Sequence, residues 1–221
     1  MTEELKKDQR IVLMFSGDLD STAVAVQSLQ KGSIVHMLTF NNGAQKWLDL
    51  AQAKANYVIK KFPDRTSWEI LDCTFLFHEL AIKTLENDIR KCGNLVCVAC
   101  KLAMLTEAIL YCKEHGITKI VDGFKKSQDY YPEQTPEYMD ATYRFASEFH
   151  ISYEHPLWDD LMQDLEDVAL SGDIPNSPMQ PYCLFERNQV TDHSYIAKFV
   201  ETKIELAKVY LQTRISGLRT Y

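Results

Sequence analysis

Short runs of uninterrupted apolar residues alternate along this chain with stretches whose apolar positions recur every three to four residues. Ile11 to Phe15 is a continuous apolar run, as in a strand covered on both faces. A polar turn, Ser16 to Thr22, follows it, and Ala23 to Gln30 predicts a helix stopped by Gly32. Ile34 to Phe40 predicts a second strand ending in Asn41-Asn42-Gly43. Gln45 to Lys61 predicts a long helix with Leu48, Ala51, Ala55, Val58 and Ile59 on one stripe. Trp68 to Leu71 predicts a third strand, Leu76 to Ile89 a helix, and Leu102 to Glu114 another, stopped by Gly116. Lys119 to Asp122 and Ser152 to Glu154 predict the fourth and fifth strands, separated by a helix over Thr135 to Glu148 with Pro136 in its first turn. A helix over Leu157 to Leu170, a Pro-rich loop over 171–181 and an amphipathic helix over Tyr195 to Thr213 complete the pattern. Apolar strands alternating with helices predict an α/β fold, an open, mostly parallel twisted sheet with helices on both faces.

Composition narrows the function classes. The chain has 221 residues, 46% hydrophobic and 25% charged, enough for one core and close to the globular average, which excludes a disordered or collagen-like chain. No apolar run reaches the roughly 18 residues of a membrane span, and the charged first ten residues lack the apolar centre of a signal peptide. The expected location is the cytoplasm, with no membrane partner. The 24 Lys and Arg against 31 Asp and Glu give a net charge of −7, which argues against a protein that binds nucleic acid by phosphate neutralisation. Six cysteines in such a compartment do not suggest a disulfide framework, and Cys92, Cys97 and Cys100 cluster within nine residues.

The turn from Ser16 to Thr22 falls where a parallel sheet places its ligand crevice, between a strand's carboxyl end and a helix N-terminus. Small hydroxyl residues and Gly17 leave backbone N–H groups free to point at an anion, aided by the helix dipole. Asp20, Ser21 and Thr22 are equally suited to simple helix capping.

Ser16-Gly17-Asp18-Leu19-Asp20-Ser21 resembles the Ser-Gly-Gly-x-Asp-Ser loop of the PP-loop ATP pyrophosphatases, which activate a substrate carbonyl as an adenylate and release pyrophosphate. Leu38 to Lys46 and Leu48-Asp49-Leu50 resemble the second strand and helix of the 7-cyano-7-deazaguanine synthase family. So does Gly123 to Pro132 with Pro136 to Ala141, which matches that family's Asp-Tyr-Ser-Gly-Tyr-Pro-Asp-Cys-Arg-Pro-Glu-Phe stretch beside its deazapurine pocket. The resemblance covers roughly residues 10–185. It implies a PP-loop ATP-binding α/β domain over residues 1–185, a helical tail over 186–221, and possible homodimers.

It also implies an ATP-dependent ligase of the queuosine pathway. Such an enzyme adenylates the carboxylate of a deazapurine-like heterocycle and takes ammonia as the second substrate. Carried over, Ser16, Gly17, Asp20, Ser21 and Thr22 would hold the pyrophosphate of ATP, with Asp20 and Ser21 essential for turnover. Thr39 and Phe40 would lie near the adenosine, Gly123 would let the nucleotide approach the sheet, and Mg²⁺ would neutralise the leaving pyrophosphate. Asp129, Tyr130 and Glu137 are the candidates for contact with a planar heterocycle. Lys101, Lys125 and Lys126 are candidates for phosphate, Lys101 foremost because it opens a helix.

Two features depart from that family. Asp18 stands where the family has Gly, so it either helps to hold the metal or weakens the nucleotide site. The family's four closely spaced C-terminal zinc cysteines are reduced to Cys183, while Cys92-x₄-Cys97-x₂-Cys100 stands before the helix that leads to the fourth strand. Cys92, Cys97, Cys100 and Cys183 could together supply a tetrahedral Zn²⁺ site; Cys97 and Cys100 could equally be small core residues. A CxxC followed by Lys101 also resembles the PP-loop sulfurtransferases that thiolate tRNA, in which three cysteines hold a 4Fe–4S cluster; here Cys97, Cys100 and Cys183 match that count. Asp18 and the missing tail cysteines leave a third reading, a non-catalytic nucleotide-binding paralogue. The six histidines form no metal-spaced pair, and His150 and His155 flank the fifth strand.

Overall fold

The computed structural model describes residues 8–45, 48–159, 183–185 and 193–218. Five strands form one sheet: β1 (Arg10–Met14), β2 (Ile34–Asn41), β3 (Thr66–Asp72), β4 (Lys119–Val121) and β5 (Ser152–Glu154). Every pairing is parallel and the strand order is β3-β2-β1-β4-β5. The chain thus winds outward from β1 to one edge and then returns to wind outward on the other side. The reversal falls between β1 and β4, where Leu13 pairs with Val121, and such a reversal opens a crevice at the strands' carboxyl ends.

Alternation along β1 explains the two layers. Ile11, Leu13 and Phe15 pack with α1 (Leu19–Gln30) and α2 (Leu48–Lys61) on one face. Val12 and Met14 join the other core, with α5 (Val96–His115), α6 (Pro136–Glu148) and α7 (Ser194–Leu218). A central parallel strand covered on both faces needs apolar residues at every position, which is what its sequence carries. Ile196, Val200, Ala207 and Leu211 of α7 are fully buried in the same core. Lys203, also buried, donates to Asp88 and Thr84 at 2.6 Å each, tying α7 to α4 (Leu85–Cys92).

Within the described residues the predicted strands are present and most predicted helices are, with shifted edges. α1 begins at Leu19 rather than Ala23, because Asp18 caps it from within the turn. α5 begins at Val96 rather than Leu102; Val96, Val98, Ala99, Leu102 and Ala103 are all buried, and the half-buried stripe opposite them is Cys97, Cys100, Lys101 and Met104, of which Lys101 alone is charged. The CxxC therefore lies inside a helix, not before one. The single helix predicted over Leu76 to Ile89 is broken into α3 (Thr74–Phe77), a π turn (His78–Ile82) and α4. Most of the predicted helix over Leu157 to Leu170, the loop over 171–181 and Lys46 lie outside the described residues. No helix among the described residues is long and apolar enough to cross a membrane.

Candidate functional site

The loop after β1 is held by its own polar groups. Phe15 continues the ladder, its N–H donating to the Leu38 carbonyl at 2.8 Å. Gly17 then takes φ +80, a left-handed conformation that favours Gly, and turns the chain toward the helix. The Ser21 hydroxyl lies 3.0 Å from the Ser16 hydroxyl and accepts from the Gly17 N–H at 3.1 Å, drawing the loop into a ring over the first turn of α1. The Thr22 hydroxyl is buried and finds no hydrogen-bond partner among the described residues.

Asp18 has φ −71 and ψ 177, ordinary extended backbone, so this position does not need glycine's left-handed freedom. Its carboxylate accepts from the Ser21 N–H at 2.8 Å. That places an internal anion on a donor that a phosphate would otherwise use, and caps the helix. Asp18→Gly is expected to bind ATP several-fold more tightly, about 1 kcal/mol for one freed charge-assisted bond, at a stability cost of a few tenths of a kcal/mol. Calorimetric titration with ATP·Mg²⁺ checks this; weaker binding would instead make Asp18 a metal holder.

The loop after β4 forms the facing wall. Lys125 makes an ion pair with Asp20, and the Gln128 amide donates to the other Asp20 oxygen at 3.2 Å. Gln134 donates to Gln128 at 3.1 Å and accepts from the Lys125 N–H at 3.3 Å, closing a polar chain from the first loop to the second. Burial raises the Asp20 carboxyl and the charge of Asp18 adds to that, against the hydrogen bond and charge of Lys125 and the bond from Gln128.

Gly123 makes this close approach possible. A Cβ there would stand 2.9 Å from Ser21 N and 3.0 Å from the Asp20 carbonyl carbon, both backbone atoms that cannot swing aside. Its small size thus serves the packing of the β4 loop on α1. Gly123→Ala is expected to cost about 1–3 kcal/mol by overpacking, lowering Tm by on the order of 2–12 °C in a thermal melt.

Behind this wall lies a buried cluster that sequence reasoning left unassigned. Asp122, fully enclosed, accepts from His155 Nδ1 at 2.8 Å, from the Phe124 N–H at 3.1 Å and, in a short bond, from the Tyr153 hydroxyl. Burial alone would raise its carboxyl; the charge and hydrogen bond of His155, then Lys101 and Tyr153, hold it below the usual carboxylate range. His155 stacks on Phe124 at 5.2 Å, and the Lys101 ammonium lies 4.9 Å from the same ring on α5. The sequence signals were an Asp at the carboxyl end of an apolar strand and a His just past the neighbouring strand.

Other candidates take different places. Thr39 is fully buried, donating to the Phe15 carbonyl at 2.8 Å and accepting from the Trp68 indole at 2.9 Å; Phe40 is buried in the α5-side core. Asp129 and Tyr130 are exposed, while Glu137 faces His193 at 3.6 Å. Cys92 ends α4; Cys97 and Cys100 lie one turn apart on α5. Cys183 bridges Gln45, and its charge helps to raise the Cys100 thiol. Cys100 accepts from the Asn42 amide at 3.0 Å, and its burial pushes the thiol up to about 12. Among the described residues no group of three or more His, Cys, Asp or Glu side chains is placed to hold a metal ion. The expected cysteine site, for Zn²⁺ or for a cluster, is not assembled. For Mg²⁺ the fit is better: Asp20 and the Ser16 and Ser21 hydroxyls are the hard oxygen donors that ion takes.

Comparison with known proteins gives one family and a set of shared folds. The profile of the family described as queuosine biosynthesis protein QueC matches residues 10–171. A 4-thiouridine synthetase, solved with RNA and bound ATP, superposes with a TM-score of 0.66 at 18% identity, over 94% of this chain and 53% of its own. This chain thus spans about half of that enzyme's length. A predicted subunit of tRNA methyltransferase from Methanocaldococcus jannaschii gives 0.52 at 20% identity, over 73% of this chain and 76% of its own. The U34-tRNA thiolase NcsA from Methanococcus maripaludis, solved with its 4Fe–4S cluster, gives 0.51 at 11%, over 94% and 74%. At these identities the structures establish the fold, that of the PP-loop ATP pyrophosphatases.

Proposed function

Because the chain belongs to the QueC family of queuosine biosynthesis proteins, we propose that it is an ATP-dependent ligase that adenylates the carboxylate of a deazapurine-like heterocycle and passes it to ammonia. The observation that carries this reading is the Ser16–Thr22 loop at the β1/β4 switch point, braced from across the crevice by Lys125 and Gln128 on Asp20.

In this reading the substrate carboxylate oxygen attacks the α-phosphorus of ATP, the bond to the β-phosphate breaks, and pyrophosphate leaves. Ammonia then displaces AMP at the carbonyl carbon. The chain's part is to hold the leaving group. Loop N–H groups and the Ser16 and Ser21 hydroxyls gain strength as negative charge builds on the departing pyrophosphate, which is the differential binding that lowers a barrier. Lys125 adds a cation at the same mouth. Asp20 and the two hydroxyls would hold a Mg²⁺, whose contribution is to neutralise that charge. The desolvated crevice wall, with Asp122 and Phe124 behind it, keeps Lys125 aimed. A cytoplasmic place suits such biosynthetic chemistry.

The test is to supply ATP, Mg²⁺, 7-carboxy-7-deazaguanine and ammonium chloride. AMP and pyrophosphate in equal amounts, with a nitrogen-bearing product by mass, are expected; ADP and phosphate, or no turnover with tight ATP binding, would overturn the reading, the latter in favour of a non-catalytic paralogue.

A second reading, sulfur transfer to tRNA, is favoured by one observation: Cys183 is brought beside Cys100, and the Cys97 thiol faces the Phe185 carbonyl at 4.0 Å. No step is routed through a cluster, since the ligand set is not assembled. Iron with labile sulfide and absorbance near 400 nm in anaerobically purified protein would support this reading, and colourless protein would count against it.

A further inference from the structure

The polar groups that join the two walls of the crevice form a closed ring, and its hydrogen bonds all run one way. The Lys125 N–H donates to the Gln134 side-chain oxygen at 3.3 Å, the Gln134 amide donates to the Gln128 side-chain oxygen at 3.1 Å, and the Gln128 amide donates to Asp20 Oδ2 at 3.2 Å. The Lys125 ammonium closes the ring on Asp20 Oδ1. A side-chain amide can face a partner with either end, so its direction is set by the neighbour that cannot be reversed. Here that neighbour is the backbone N–H of Lys125, which only donates. It draws the Gln134 oxygen toward itself, which leaves the Gln134 NH₂ for Gln128 and the Gln128 NH₂ for Asp20. Asp20 therefore receives a donor at each oxygen.

Both glutamines stand on short, pinned supports. Gln128 ends the 3₁₀ turn Lys126–Gln128, its N–H returning to the Lys125 carbonyl at 2.9 Å. Gln134 ends the 3₁₀ turn Pro132–Gln134, its N–H bonded to the Tyr131 carbonyl at 2.9 Å. The buried Thr135 hydroxyl donates back to the Pro132 carbonyl at 3.0 Å and ties that turn to α6. A carboxylate has about four acceptor positions, so donors at both oxygens fix its plane and still leave room for a cation. We propose that Gln134 is a positioning residue of the nucleotide site: by setting the direction of Gln128 it holds the Asp20 carboxylate in the plane in which it takes a divalent cation bound to phosphate. This deepens the ligase reading and rests on it for the nucleotide and the cation, while the direction of the ring stands on its own.

Gln134→Glu keeps the shape of the side chain and reverses the ring. A carboxylate there accepts from the Lys125 N–H but offers no donor to Gln128, whose NH₂ then turns toward it and whose oxygen meets Asp20. Melted without ligand, this variant is expected to lose about 2–4 °C in Tm, one net hydrogen bond in a chain of this length. Adding Asp20→Asn is expected to restore Tm, because an amide at that position gives its NH₂ to the turned Gln128 and its oxygen to Lys125. Losses that simply add would show that the ring has no fixed direction and overturn the proposal. The second readout is ATP binding by calorimetry, with Mg²⁺ and with a chelator in its place. Gln134→Glu is expected to weaken binding about tenfold with Mg²⁺ and to change it less than about twofold without. Gln134→Met, which keeps the length and removes the link, should show the same split to a smaller extent. Equal weakening in both conditions, or none in either, would overturn the assignment. If the split appears and the parent makes no pyrophosphate from 7-carboxy-7-deazaguanine, the positioning role stands and the ligase reading falls. Pyrophosphate made by Gln134→Glu with the parent's kcat and KM for ATP·Mg²⁺ would do the reverse.

Discussion

Asp20→Ala and Ser21→Ala are each expected to reduce formation of AMP and pyrophosphate by at least about 10²–10³-fold, the loss seen when one oxyanion-stabilising group is removed. The two act by different routes. Ser21 holds the loop closed, its hydroxyl accepting from the Gly17 N–H and meeting Ser16; without it the loop N–H groups are no longer fixed in direction. Asp20 holds the opposite wall, and its loss frees Lys125 and Gln128 together. Pyrophosphate release, measured beside circular dichroism to confirm the fold, checks both. Full activity in both variants would refute the site assignment. Asp20→Asn separates the routes further: it keeps the Gln128 contact but not the Lys125 ion pair, and should lie between parent and Ala.

Asp122→Ala is expected to be the most destabilising single change at the site, about 3–5 kcal/mol, because it leaves a buried cluster with one partner missing. For a chain of this length that lowers Tm by on the order of 6–20 °C. Activity should fall with it, since Asp122 anchors the Phe124 N–H and so sets the start of the loop that carries Lys125. The pH dependence follows from the direction of the shift. His155, Lys101 and Tyr153 outweigh burial and hold the folded-state carboxyl of Asp122 below its unfolded value. Its contribution is therefore fully present above the ordinary carboxylate range and is lost as pH falls below it. Denaturant unfolding of parent and Asp122→Asn from pH 7 downward should show their difference shrinking below about pH 4. A difference constant with pH would mean that Asp122 is not ionised in the folded protein.

Much of this was legible before any coordinates. The continuous apolar run at Ile11 and the largely apolar run at Ile34 read as strands covered on both faces, and the hydroxyl-rich turn after the first is where such sheets bind anions. The edges were less legible. The first turns of α5 bury most of their apolar residues and leave only Cys97, Cys100 and Lys101 half-buried, so little polar period announced them, and Cys97 and Cys100 read as lying before the helix when they are inside it. Short β5 falls where the sequence placed it, and β4 ends at Val121, one residue before the expected Asp122.

The residue pattern by itself determined the class of fold, the order of strands and helices, and the loop at Ser16 to Thr22. These depend on periodicity and on local backbone freedom, which a sequence carries directly. Tertiary structure alone decided what crosses the crevice. Lys125 reaches Asp20, 105 residues away in number, only because β4 pairs beside β1, and Gly123 must be small because α1 passes against it. Whether Asp122 is a solvated strand end or the centre of a buried network depends on His155 and Tyr153 arriving from the next strand. Long-range pairing of that kind leaves no period in the chain, since each residue is chosen by a neighbour that the fold supplies.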